Sequence, residues 1–89
     1  MRMQERIEAR LVEALAPARL EVIDESSLHA GHAGARHGGE THYRIAVVSA
    51  AFAGRSRVQR HRLVYDALAG EIADGVHALS LDARAPGEA

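Results

Sequence analysis

Cysteine, tryptophan and lysine are absent from the 89 residues, and the aromatics are limited to Tyr43, Phe52 and Tyr65. Without cysteine there can be no disulfide, no thiol nucleophile and no iron–sulfur cluster held by this chain's own thiolates. Soft-metal chemistry would have to rest on the six histidines. So few aromatic rings leave little surface on which nucleobases could stack. No run approaches eighteen apolar residues, and the charged N-terminal stretch lacks an apolar signal core, so the expected location is the cytoplasm, with no membrane association. All 11 basic residues are arginine and balance 12 acids to a formal net charge of −1. That balance gives no overall attraction to nucleic acid or to an anionic bilayer, and leaves room only for a local basic patch.

What is present describes one soluble domain. Hydrophobic residues make up 47% and charged residues 26% of the chain, which is ordinary for a globular fold and too rich in apolar residues for wholesale disorder. The length supports one core but not a deep cleft between lobes. Met3, Ile7, Leu11 and Leu15 recur at steps of four with charges between them, which predicts an amphipathic helix closed by Pro17. Arg19 to Glu25 alternates as a strand and gives way to a turn at Asp24–Ser27. The stretch Ser26–Gly39 holds four glycines and three histidines, which predicts a long exposed loop. Thr41 to Ser49 reads as the strongest strand, with Tyr43, Ile45 and Val47 on one face.

The stretch from Arg55 to Tyr65 has four arginines, no acid, and one histidine. Ser56 and Gln59 have the spacing of a capping box, so a helix is predicted to start at Ser56, run to about Leu68, loosen at Gly70 and end by Gly75. Val58, His61, Val64, Tyr65, Leu68 and Ile72 share one predicted apolar face, and Arg60, Arg62, Asp66 and Glu71 lie off it. On pattern alone, His61 is a histidine within a core stripe, whose two ring nitrogens each need a partner. A last strand is predicted over Val76–Leu81, with His77, Leu79 and Leu81 on one face. The tail after Asp82 has little to bury and is expected to fray. A hairpin followed by a right-handed helical crossover gives a mixed three-stranded sheet with the helices on one face.

Several blocks in sequence, Leu20-Glu21-Val22-Ile23-Asp24-Glu25-Ser26, His29-Ala30-Gly31-His32, Gly39-Glu40-Thr41-His42-Tyr43, Arg60-His61-Arg62 and Val76-His77-Ala78-Leu79-Ser80, resemble the BolA family from the first helix to the last strand. The resemblance implies an α+β fold of the class II KH type, αββαβ, and length and patterning put it in a single domain over residues 1–84 with a frayed tail at 85–89. It also implies a non-enzymatic partner of a monothiol glutaredoxin, sharing a [2Fe–2S] cluster completed by that partner and by glutathione and used in iron–sulfur trafficking or iron sensing. The isolated chain should carry no cofactor and be a monomer or weak homodimer. By the same resemblance, His61 is the C-terminal cluster ligand. The second ligand comes from the loop, where His29 matches best and His32 and His37 are rivals.

Duplex DNA is a second expected partner, since bacterial members are described as DNA-binding transcription regulators. Arg55, Arg57, Arg60 and Arg62 would supply phosphate contacts, or would equally suit an acidic protein surface. Neither turn beside the second helix has the Gly-x-x-Gly by which KH domains clamp a nucleic-acid backbone. No Ser–His–Asp set, paired catalytic carboxylates or phosphate-binding glycine loop supports an enzyme.

Overall fold

The computed structural model describes residues 2–25 and 42–88. The elements run α1 (Met3–Leu15), β1 (Arg19–Asp24), β2 (His42–Val48), a 3-10 turn (Ala50–Phe52), α2 (Arg57–Ala67), α3 (Ala69–Ala73) and β3 (Ala78–Arg84). The predicted loop between the first two strands, with His29, His32 and His37, lies outside the described residues. The sheet order is β1-β2-β3. β1 pairs antiparallel with β2, Val22 opposite Ile45, and β3 pairs parallel with β2, Leu81 opposite Ile45. This is the mixed sheet expected of a hairpin followed by a helical crossover.

Alternation within the strands sorts the two faces of the sheet. Val22, Tyr43, Ile45 and Val47 are buried against Ile7, Leu11 and Leu15 of α1 and Val64 and Leu68 of α2, with Phe52 and Val76 closing the core. Arg19, Glu21, Arg44, Ser80, Asp82 and Arg84 alternate with those positions and are exposed. The edge of β1 is covered in part by α1, where Gln4 Nε2 donates to the Val22 carbonyl at 2.9 Å. An edge carbonyl met by a side chain is no longer open to strand addition.

Helix ends are fixed by identifiable groups. At the start of α1, the Glu5 carboxylate accepts from the Arg2 N–H at 2.9 Å. At its end Ala16 takes φ 43°, a left-handed conformation, before Pro17. The buried Ser49 hydroxyl donates to the Leu15 carbonyl at 2.6 Å and accepts from Ala51 N–H at 3.1 Å. It thereby ties the end of α1 to the exit of β2.

Four sequence expectations are corrected. The buried face of α2 is not the predicted one: Val58 is 59% and Tyr65 43% exposed, whereas Leu63, Val64, Ala67 and Leu68 pack on the core. The true stripe is turned by about one residue step, roughly 100°, because the sheet accepts Leu63, Ala67 and the stem of Arg60, whose side chain is only 15% exposed. Glu71, read as a surface acid, is buried, and its Oε2 meets Arg6 at 3.1 Å and Arg10 at 3.5 Å. β3 begins two residues later than predicted and runs three further, which leaves His77 exposed before the strand. Residues 85–88, expected to fray, turn back onto the domain, with Ala85 buried.

Candidate functional site: an arginine groove beside His61

The approach to α2 is built by a glycine and a capping box. Gly54, at φ 72°, turns the chain where an L side chain would be strained. The Ser56 hydroxyl then accepts from Gln59 N–H at 3.2 Å, and Gln59 Oε1 accepts from Ser56 N–H at 2.8 Å. The helix therefore starts where the S-x-x-Q spacing put it. Arg55 folds back, its Nε donating to the Ala51 carbonyl at 2.9 Å.

Arg60 is held from two sides. Its Nε donates to the Arg55 carbonyl at 3.0 Å and Nη1 to the Ala83 carbonyl of β3 at 3.2 Å. The remaining fork meets the Glu88 carboxylate in a bidentate pair, Nη1 to Oε1 at 2.5 Å and Nη2 to Oε2 at 2.8 Å. This arrangement holds the Glu88 carboxyl at about 2, far below its ordinary 4.5, chiefly through the Arg60 bond and then the Ala85 N–H, and raises Arg60 further.

Around this pair runs an open groove between α2 and β3. Arg55, Arg57 and Arg60 line one side, Leu81 to Arg84 the other, and His61 and Glu88 complete it. Four arginines and two acids, Asp82 and Glu88, thus line the groove. Arg84 is engaged with Asp82 at 2.8 Å, whereas Arg57 is exposed and makes no side-chain bond among the described residues. Of the arginines singled out in sequence, the fold gathers 55, 57 and 60 and leaves Arg62 outside the groove. It adds Arg84 and Glu88, which the sequence reading missed. Pro86-Gly87, a strong turn dipeptide, was the available signal that the tail turns back.

His61 is half-buried at the rim of the groove, with Val58 and Tyr65, one turn before and after, both exposed. Among the described residues neither ring nitrogen has a hydrogen-bond partner. It is therefore a rim histidine between two exposed apolar side chains, not a core histidine. No group of three or more His, Cys, Asp or Glu among the described residues could hold a metal ion. Any metal at His61 would need donors from elsewhere. His42 is half-buried at the start of β2, opposite Ala78.

A three-stranded mixed sheet backed on one face by helices, with an arginine groove between the second helix and the last strand, defines a small αββαβ domain. The chain belongs to the BolA family: the BolA-like protein model matches residues 11–88. It is 50% identical over 82 residues to BolA-like protein 1 of Mus musculus, covering 92% of this chain and 57% of that protein. To the DNA-binding transcriptional regulator BolA of Escherichia coli K12 it is 43% identical over 81 residues, covering 91% and 73%. The fold is similar to the BolA domain of SufE1 from Arabidopsis thaliana, with TM-score 0.84, 48% identity, and 97% and 94% of the two chains covered.

Proposed function

We propose that this chain is a non-enzymatic partner of a monothiol glutaredoxin and shares a [2Fe–2S] cluster with it through His61. The observation that carries the reading is the state of His61: half-buried at a rim, with no nitrogen partner among the described residues and with Val58 and Tyr65 exposed on either side. The residues fit such a group, since an imidazole at a rim can face a second protein. His29, with His32 and His37 as rivals, is the loop ligand that the family resemblance suggests. When bound, the cluster would supply electron transfer or iron–sulfur delivery, and nitrogen ligands raise its potential relative to four thiolates. The chain's own part is to present the His61 imidazole at the groove rim, and to offer the apolar pair beside it for docking.

The test is titration of the chain into cluster-loaded glutaredoxin while the visible spectrum is recorded. The wild type should change the spectrum, and His61→Ala should abolish the change. An unaltered response in that variant removes His61 from the site. His29→Ala should weaken the change more than His32→Ala or His37→Ala, and the reverse order reassigns the loop ligand.

A second reading, duplex DNA binding, is favoured by the grouping of Arg55, Arg57 and Arg60 in one groove and by the similarity to the Escherichia coli DNA-binding transcriptional regulator BolA. It is the weaker one. Arg60 and Arg84 are already paired with carboxylates, so little positive charge remains for phosphates.

A further inference from the structure

The tail that closes the groove is a built structure. Pro86 and Gly87 occupy the two central positions of a turn, Gly87 has φ 87°, and Glu88 N–H returns to the Ala85 carbonyl at 3.2 Å. These are the residues and the bond of a type II turn, where proline presets the first central position and glycine alone takes the second without strain. The turn delivers one carboxylate to three donors. Glu88 Oε1 accepts from Arg60 Nη1 and from the Ala85 N–H, the latter at 3.0 Å, and Oε2 accepts from Arg60 Nη2.

The receiving side does not depend on Glu88. Arg60 is oriented by the Arg55 and Ala83 carbonyls, so its fork stays aimed at the same point when the carboxylate leaves. Asp82, which also lines the groove, is paired with Arg84, and Arg57 lines it with no partner of its own among the described residues. A planar fork held by two backbone carbonyls matches a carboxylate bidentately. Removal of Glu88 would change the groove from four cations and two anions to four and one.

We propose that the groove between α2 and β3 is a carboxylate-binding site for an acidic segment of a partner protein, and that Glu88 is its internal occupant, displaced when that segment docks. The carboxylate is favoured over phosphate because the present occupant is one, and because the Ala85 N–H and the Arg60 fork converge on its two oxygens. The site needs neither a cluster nor His61, so its test is separate from that of the glutaredoxin reading.

The probe is a blocked tetraglutamate peptide, titrated at constant ionic strength into the full chain while amide and arginine Nε–H resonances are followed by NMR. An occupant closed most of the time lowers apparent affinity by the open fraction. Glu88→Gln should therefore tighten peptide binding by about three- to tenfold. Gly87→Ala, which strains the turn without touching any charge, should act in the same direction. Arg60→Lys, which keeps the charge but loses the fork, should remove the gain, with the shifts centred on residues 60 and 83–85 in the responsive proteins. Equal affinity in wild type, Glu88→Gln and Gly87→Ala would overturn the occupant, since freeing the groove would then have had no effect. Tighter binding of inorganic phosphate than of the peptide at matched ionic strength would overturn the carboxylate assignment.

Discussion

Replacing Ser49 by alanine should destabilise the domain by about 2 kcal/mol. The hydroxyl is completely buried and makes two bonds, to the Leu15 carbonyl at 2.6 Å and from the Ala51 N–H at 3.1 Å. The two losses are unequal. Leu15 is buried at the last turn of α1, where carbonyls have no helical donor, so its oxygen would be left unsatisfied at a cost of about 1–3 kcal/mol. Ala51 is exposed, and its N–H can turn to water for roughly 0.5 kcal/mol or less. The backbone bond from Ser49 N–H to the Arg84 carbonyl at 2.9 Å is untouched, so the variant isolates the hydroxyl. In a domain of this size 2 kcal/mol corresponds to a fall in Tm of about 8–16 °C. Urea denaturation followed by far-ultraviolet circular dichroism should show a lower midpoint with an unchanged slope. A loss below about 0.5 kcal/mol would refute the reasoning, because it would mean that the Leu15 carbonyl finds another donor or does not need one.

The other predictions concern the tail, the end of α1 and the groove. The folded Glu88 carboxyl is depressed from 4.5 to about 2, so the clasp's contribution is fully present above about pH 4.5 and is lost as pH falls through about 2. A carbon-13 titration of the Glu88 carboxyl should find its midpoint near 2, and an ordinary carboxylate value would show that the Arg60 pair does not form. Ala16 sits at φ 43°, where an L side chain costs about 1–2 kcal/mol, against about 0.4–1 kcal/mol of added chain entropy for glycine. Ala16→Gly should thus gain about 0.5–1 kcal/mol in chemical denaturation, and a destabilised variant would show that Ala16 is unstrained. Any DNA binding should be weak, with a log–log salt slope of about −2 for the arginines not already paired, and Arg57→Ala should reduce it by about one. A slope near −6, or strong sequence selection, would contradict that count.

The sequence was most legible where a local rule acts alone. The capping box at Ser56 and Gln59 located the start of α2, and period-two alternation put Tyr43, Ile45 and Val47 in the core. The four-residue spacing of α1 likewise buried Ile7, Leu11 and Leu15. These signals depend on neighbours in the chain, so no tertiary information was needed. The face of α2 was misread because its apolar residues nearly encircle it. Which side meets the sheet is then set by β3, far along the chain, and Val58 and Tyr65 were assigned to a core that they do not join. Glu71 was misread for a related reason, since the arginines that receive it belong to α1, more than sixty residues earlier.

The same logic explains why the site was only half visible. Four arginines in eight residues could be seen as a cluster, but a helix cannot point all of them one way, and α2 sends Arg62 away from the groove that takes Arg55, Arg57 and Arg60. Arg60 looked like a surface charge. It is the residue whose stem lies against the sheet while its head emerges beside Ala83 and Glu88. Long basic side chains can do this, burying methylenes and keeping the guanidinium at the rim. The burial of the Arg60 stem and the rim position of His61 are therefore one rotation of α2 seen from its two sides. Turned by one residue step toward the predicted face, the helix would bury His61, expose Arg60 and dissolve the groove. What keeps His61 at the rim is the arginine before it, which fills the place that the hydrophobic pattern had reserved for the histidine.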